Sequence, residues 1–388
     1  MSNSIDSVFA DSRIQQAFQF ITAHETDIER DQIRLTQIPA PPFGEEARAQ
    51  AFHDELLKAG VRPSIDSIGN VLAAYDGYGR NPVVVGAHLD TVFPLPTPLE
   101  LRRKGRVLLL PGISDNGCGI VAALWLIRAA KESRIVFRRP LVVVGNVGEE
   151  GEGNLRGVRH LFNEPPWQGR DCEFVAVDGA GLQRITNQAL GSRRFRVQMT
   201  GPGGHSWADF GRPNPVQAIA AAIHSFSTLS GIRRHGTSFN FGVVRGGISV
   251  NAIPREAVME VDLRSVTAPD LNELEKQLRR AITEATRASG VECRVELMGE
   301  RPSGMTPASS PLVQLAMQVT RHFGVEPQPD VASTDANLPM SLGLPAIAIG
   351  GGGSSGDVHT PEEWFDPSRR DLGIQRLLAL VAVLAGLD

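Results

Sequence analysis

Acidic and imidazole side chains recur at one kind of place in this chain, at or just past the end of a short apolar run. His88 and Asp90 follow VVVGA, and Asp115 lies in a loop before a helix-like segment. Glu149 and Glu150 follow LVVVGNVG, Asp178 follows FVAV, and His359 follows a glycine run. Each has an ordinary explanation when taken singly. A histidine after a strand is commonly a surface or capping group. An aspartate ahead of a helix is commonly an N-cap. Two adjacent glutamates commonly form a solvated face. Delivered together to one edge of a sheet, these groups would repel one another unless something positive sat among them. Imidazoles and carboxylates without thiolates suit zinc, manganese or cobalt. Such a set suffices for two divalent ions if one carboxylate bridges them.

The Glu149-Glu150 doublet answers a second requirement. Amide hydrolysis needs one group to hold the metal and another to accept the proton of water. A metal lowers the pKa of bound water towards neutrality, and the same acid can then protonate the departing amine. Adjacent residues can point in different directions, so a doublet can fill both roles. Asp90 stands two residues after His88 on an extended segment and returns to the same face. There its carboxylate could accept the second N–H of the imidazole, or it could simply shape a turn. The glycine-rich VVVGNVGEEGEG invites a nucleotide reading. It lacks the GxGxxG spacing, and two glutamates would meet the pyrophosphate.

The elements that must position these groups read as an α/β chain. IQQAFQFITAH is helical by its apolar spacing, IPAPPFG breaks it, and EEARAQAFHDELLKAG forms a second helix ended by Gly60. NVLAAYDG, NPVVVGAHLD, RPLVVVGNVGEEG and CEFVAVDGAG read as strands. Continuous apolar runs such as PVVVG suit strands buried on both faces. SDNGCGIVAALWLIRAAK reads as a loop entering a helix, with Ser114 or Asp115 near its start. Alternation of strand and helix predicts a three-layer α/β domain with a mostly parallel sheet, whose ligands bind at the carboxyl ends of the strands. The texture changes near Gly191. SRRFRVQMTG alternates apolar and polar residues, and the order from there is β-α-β-β-α-β, a ferredoxin-like α+β arrangement. The expected organisation is an α/β domain built from 1–190 and 302–388, with a small domain inserted at 191–301.

Composition excludes several classes. With 41 % hydrophobic and 21 % charged residues among 388, the chain is of soluble globular type. A net charge of -4 without a basic block argues against a nucleic-acid surface. No apolar stretch is long enough for a membrane span, and the first residues do not read as a signal peptide. Three scattered cysteines, Cys118, Cys172 and Cys293, argue against a disulfide framework and for a reducing, cytoplasmic setting. Cys118 reads as a packing residue rather than a reactive thiol.

A run of blocks then carries a resemblance. IPAPPFGEE, IGNVLA, VVGAHLDTV, GISDNG, GNVGEEGEGN, GPGGHS, GGISVNAIP, VDLRS, STDAN and GDVHTPEE occur in this order across nearly the whole chain. Together they resemble the di-zinc metallopeptidase family that contains peptidase T, carboxypeptidase G, acetylornithine deacetylase and succinyl-diaminopimelate desuccinylase. The resemblance implies that His88 and Asp178 hold one metal, Glu150 and His359 the other, and Asp115 bridges them. It implies that Asp90 supports His88 and that Glu149 is the general base for attack by a metal-bridging hydroxide. Two divalent ions are implied, zinc first, with cobalt or manganese as alternatives. The inserted domain is similar to the family's lid and dimerisation domain. His205 is similar to a histidine that reaches a substrate carbonyl, often across the dimer interface. Asn251 is similar to a lid asparagine near the substrate, and Arg264 to a lid arginine that can bind a carboxylate. Asn251 also suits a turn before Pro254, and Arg264 a strand-surface ion pair. The glycine run before His359 suits close approach of backbone to substrate, or a flexible loop. VAVDGAG resembles the peptidase T branch, which implies an aminopeptidase acting on short peptides as a homodimer. An N-acyl amino acid deacylase or a carboxypeptidase would use the same centre. A catalytically silent binding protein should have lost a ligand or the base, and all are present.

Overall fold

The computed structural model describes residues 5–75, 77, 80–165, 167–229 and 236–388. The readings made above on residues 1–4 and on Asp76 lie outside the described residues. The chain divides into two compact units, Met1–Ala189 with Met305–Asp388, and Leu190–Gly304.

The first unit is built on one sheet. Its strands run side by side in the order Arg62–Ile65, Val71–Tyr75, Leu141–Asn146, Val83–His88, Glu173–Val177, Ala346–Ile349 and Arg184–Ala189. The central four strands pair in parallel, while Val71–Tyr75 and Arg184–Ala189 join antiparallel. Alternate side chains serve opposite faces, as the pleat requires. Val83, Val85 and Ala87 enter a core with the helices Ser12–Ala23, Gly117–Glu132 and Arg370–Ala385. Val84, Val144, Phe174 and Ala348 enter the other, with Val158 and Leu161 of the helix Arg156–Asn163. Both faces are therefore covered, which accounts for the continuous apolar runs. The fold is mixed α/β with a mostly parallel central sheet.

Local chemistry explains the element ends. The helix Gly117–Glu132 is capped by Asn116, whose side chain accepts from Gly119 N at 3.1 Å. The sequence placed Ser114 or Asp115 near this start, so the cap falls one residue beyond that pair. Asn116 also donates to Val177 O at 2.8 Å and accepts from Gly179 N at 3.3 Å. It thus ties the helix start to the end of the neighbouring strand. The helix Glu25–Thr36 and the strands Arg184–Ala189 and Gln328–Ala332 are elements that the sequence reading did not single out. Among the described residues, no helix is long and apolar enough to cross a membrane.

The second unit holds an antiparallel sheet in the order Thr237–Gly246, Glu256–Ser265, Gly191–Thr200 and Glu292–Arg301. The helices Pro215–Thr228 and Ala268–Ser289 complete the β-α-β-β-α-β order. Phe195, Val197, Met259 and Leu263 pack with Phe226, Leu274 and Leu278 in a core of its own. Pro215 and Pro269 sit in the first turn of their helices, where a missing N–H costs nothing.

Gly119 is the tightest link between the sheet and the loop that carries Asp115. A Cβ there would lie 2.2 Å from Asn116 Oδ1 and 2.3 Å from Val177 O. Gly119→Ala should lower stability by about 1–3 kcal/mol through overpacking. Urea unfolding checks this, and unchanged stability would show that the contact relaxes freely.

Candidate metal centre

The parallel strands end on one edge, and the chemistry-bearing groups emerge there. His88 ends Val83–His88, Asp178 follows Glu173–Val177, and Glu149 and Glu150 follow Leu141–Asn146 after one turn. His359 lies in the segment after Ala346–Ile349, and Asp115 in the loop entering the helix Gly117–Glu132. The Asp115-Asn116 peptide is cis.

Asp115 stands at the middle of the cluster. Its Oδ1 lies 2.9 Å from His88 Nε2, and its Oδ2 lies 3.0 Å from His359 Nε2. Asp178 Oδ1 is 3.9 Å from His88 Nε2, and Glu150 Oε1 is 3.1 Å from His359 Nε2. Two donor groups result, His88 with Asp115 and Asp178, and Asp115 with Glu150 and His359, each within 4.8 Å. The two share Asp115. Glu149 lies within the same distance of His88 and Glu150. His88, Glu149 and Glu150 are buried, while His359 is exposed. This donor chemistry, oxygen and imidazole nitrogen on a partly buried edge, fits divalent ions of the zinc, manganese or cobalt kind.

The electrostatics point the same way. Burial and the charge of Asp115 push the Asp178 carboxyl up to about 7. Burial is the largest single influence on Asp115 and His88 and disfavours their charged forms, but the hydrogen bonds and opposite charges around them together outweigh it. Asp115, which also meets His359, is held below the ordinary carboxylate range, and His88 well above the usual imidazole value. Hydrogen bonds to Asp115 and Glu150 raise His359 to about 10. Carboxylates this close need a cation or a proton among them.

Asp90 does more than the sequence suggested, and through different atoms. His88 Nδ1 lies 3.1 Å from the main-chain oxygen of Asp90 but 3.6 Å from its carboxylate. The carboxylate instead accepts from Glu149 N at 2.9 Å and Glu150 N at 2.7 Å. It therefore fixes the backbone of the glutamate doublet, while the carbonyl fixes the imidazole. Arg48, fully buried, donates to Leu89 O at 2.9 Å and to Thr36 O at 2.8 Å, and so holds the same turn from behind.

Two further buried carboxylates adjoin these elements. Glu363 is fully buried and accepts from Gly112 N at 2.9 Å, Ser114 N at 2.8 Å and Asp115 N at 3.0 Å. It ties the Asp115 loop to the His359 segment, four residues away. Burial raises Glu363 to about 7 despite these amides. Asp335 is buried and accepts from Asn146 Nδ2 at 2.6 Å. Both lie in blocks that carried the resemblance, GDVHTPEE and STDAN. That was the available signal, because neither shows its burial in local pattern. Cys118 donates to Ser114 O at 3.0 Å, and burial drives its thiol pKa far up, so it is a packing residue. All three cysteines are free.

The lid candidates lie in the second unit. His205 Nδ1 accepts from Trp207 N at 3.2 Å and Ala208 N at 3.3 Å, which leaves the proton on Nε2. Asn251 Oδ1 accepts from Ser249 Oγ at 2.6 Å, and its chain pairs with the His205 segment through Ser206 N to Asn251 O at 3.0 Å. Arg264 Nε donates to Asp262 Oδ2 at 2.7 Å, so part of its guanidinium is engaged in a strand-surface ion pair.

This fold and donor edge define a metal-dependent hydrolase. The chain belongs to peptidase family M20/M25/M40, whose model matches residues 84–384. It is 25 % identical over 335 residues to an acetylornithine deacetylase of Klebsiella pneumoniae, covering 81 % of this chain and 84 % of that one. The fold matches a tripeptidase from Staphylococcus aureus with a TM-score of 0.79 at 20 % identity, over 93 % of this chain and 98 % of that one. It also matches a dinuclear metal-binding peptidase of the M20 family from Bacillus subtilis, with a TM-score of 0.72 at 14 % identity, over 94 % and 99 %.

Asp90→Asn keeps the shape of the side chain but sets an N–H₂ against a backbone N–H. We expect metal affinity to fall about 10–100-fold, as for other groups that orient ligands. Chelator competition measures it, and unaltered affinity would remove Asp90 from the support of the site.

Proposed function

We propose that the chain hydrolyses an amide bond of a short peptide as an aminopeptidase of peptidase T type, with two divalent metals. The observation that carries this reading is the central carboxylate of Asp115, shared by two donor groups. His88 and Asp178 would hold one ion, Glu150 and His359 the other, and Asp115 both. The ions, most suitably zinc, would polarise the scissile carbonyl and the attacking water. Glu149 is proposed as the general base. Its backbone is fixed by Asp90, and it lies beside both His88 and Glu150. It would take the proton of water and return it to the departing amine.

The inserted unit is proposed as a lid and dimerisation domain. His205 carries its proton on Nε2, which suits donation to a substrate carbonyl. The Asn251 side-chain N–H₂ and the free end of the Arg264 guanidinium are proposed to bind substrate polar groups. Trp207, Phe210, Ile248 and Val250 are each at least 87 % exposed, an apolar surface that supports contact with a second copy. Ile248→Asp with Val250→Asp should then halve the mass seen by light scattering. A parent protein that is already monomeric would overturn the dimer.

The similarity to an acetylornithine deacetylase favours a second reading, an N-acyl amino acid deacylase with the same centre. A panel of free tripeptides, N-blocked tripeptides and N-acetyl amino acids separates the two, run alongside Glu149→Gln. The aminopeptidase reading expects free tripeptides to be cleaved and N-blocked ones spared. Cleavage of N-acetyl amino acids alone would replace it with the deacylase. Glu149→Gln should keep both metals and lose about 10²–10⁴-fold in kcat. Undiminished turnover would exclude Glu149 as the base.

A further inference from the structure

Positive φ recurs in the segments that carry or adjoin the proposed ligands. Among the described residues, the non-glycine positions with positive φ besides Arg134 and Arg369 are Phe43, Asn154, Leu155, Asp357 and His359. Asp357 and His359 share one segment, and Asn154 and Leu155 follow the glutamate doublet. Phe43 is the unexpected member. Its φ is 69°, a conformation that costs a bulky residue energy and that glycine would adopt freely.

Packing does little to offset that cost. Phe43 is 62 % exposed. The Arg156 guanidinium stands over its ring, 5.1 Å from the centroid. Arg156 is itself engaged by Glu45 at 2.6 Å and by Ile68 O at 2.8 Å, so it needs no aromatic partner to be held.

The position is informative. The Arg156 side chain packs along Gly148, where a Cβ would meet its Cγ at 2.5 Å, and Gly148 directly precedes Glu149. On the other side, Ala40 O accepts from Thr91 N at 2.9 Å, next to Asp90. Segment 40–45 is therefore fastened to both loops that carry the proposed ligands and base. Gly44 N donates to Pro41 O at 2.8 Å, so Phe43 fills the third position of a tight turn where glycine is the usual residue, and the turn alone does not call for an exposed aromatic there.

We propose that Phe43 contacts the substrate and sets its specificity. The free face of its ring would receive a large apolar side chain, aromatic or branched, on a residue flanking the scissile amide. This inference rests on the amide-hydrolase reading above.

The test uses the full-length, metal-loaded protein and two matched substrate series. Free tripeptides and N-acetyl amino acids would carry Phe, Leu or Ala beside the scissile bond. The parent should favour Phe and Leu over Ala. Phe43→Gly should lower the Phe-to-Ala ratio of kcat/KM roughly tenfold, through KM, a contrast of the size hydrophobic contacts give. It should also raise Tm by about 2–4 °C, because glycine relieves the backbone. Phe43→Ala should lower the ratio equally without the gain in Tm, and metal content should hold in both. A lower Tm in Phe43→Gly with an equal loss on every substrate would mark Phe43 as merely structural and overturn the proposal. So would an unchanged ratio in an active enzyme, leaving the hydrolase reading intact. A parent that cleaves neither series would overturn both.

Discussion

Carboxylates held by backbone N–H groups are what the candidate centre depends on. Asp90 takes the amides of Glu149 and Glu150, and Glu363 takes those of Gly112, Ser114 and Asp115. Each charge is stabilised by fixed dipoles instead of a mobile counter-ion, and each fixes the loop that bears a proposed ligand. The arrangement is reciprocal. The carboxylate needs the amides to be tolerable when buried, and the loop needs the carboxylate to keep one geometry. Arg48 extends the same logic to the turn through Leu89, using a buried cation against main-chain carbonyls.

The sheet supplies the common edge, and small residues supply the clearance. Parallel pairing brings the ends of Val83–His88, Leu141–Asn146, Glu173–Val177 and Ala346–Ile349 to one side. Layers on both faces must then approach closely. A Cβ on Gly86 would strike Phe174, and one on Gly145 would strike Phe52, at 2.7 Å in each case. These glycines are volume constraints of a doubly covered sheet. The same tightness fixes the strand ends, so the donors projecting from them inherit a rigid base.

The parts legible in the sequence share a physical reason. A strand buried on both faces must be apolar throughout, so VVVGA and LVVVGN declare themselves, and polar residues past their ends stand out. The helix Glu25–Thr36 was hidden because Asp31 and Gln32 are buried through partners far away in the chain: Asp31 meets Trp125 and Arg128, and Gln32 donates to Ile113 O. The strand Arg184–Ala189 carries Thr186 and Asn187 inside, so it lacks an apolar signature. Glu363 was not among the candidate site residues, because nothing beside it in the chain marks it as buried. Its burial depends on a loop 248 to 251 positions earlier, which no local pattern records. At Asp90, whether the carboxylate or the carbonyl faces His88 depends on where the doublet's amides lie, which the neighbouring residues do not record.

The proton distribution in the cluster carries the argument one step further. His359 is raised to about 10 and Asp178 to about 7, so near neutrality each can carry a proton close to Asp115. Those protons neutralise the same carboxylates that divalent ions would neutralise. Protons and metals therefore compete for one set of lone pairs, and binding of either displaces the other. The amides around Asp90 and Glu363 hold those carboxylates without drawing on such a cation, so position and charge balance have different sources. That separation, with rigidity from backbone dipoles and charge balance from exchangeable cations, explains why Asp90 and Glu363 lie one layer behind the donors.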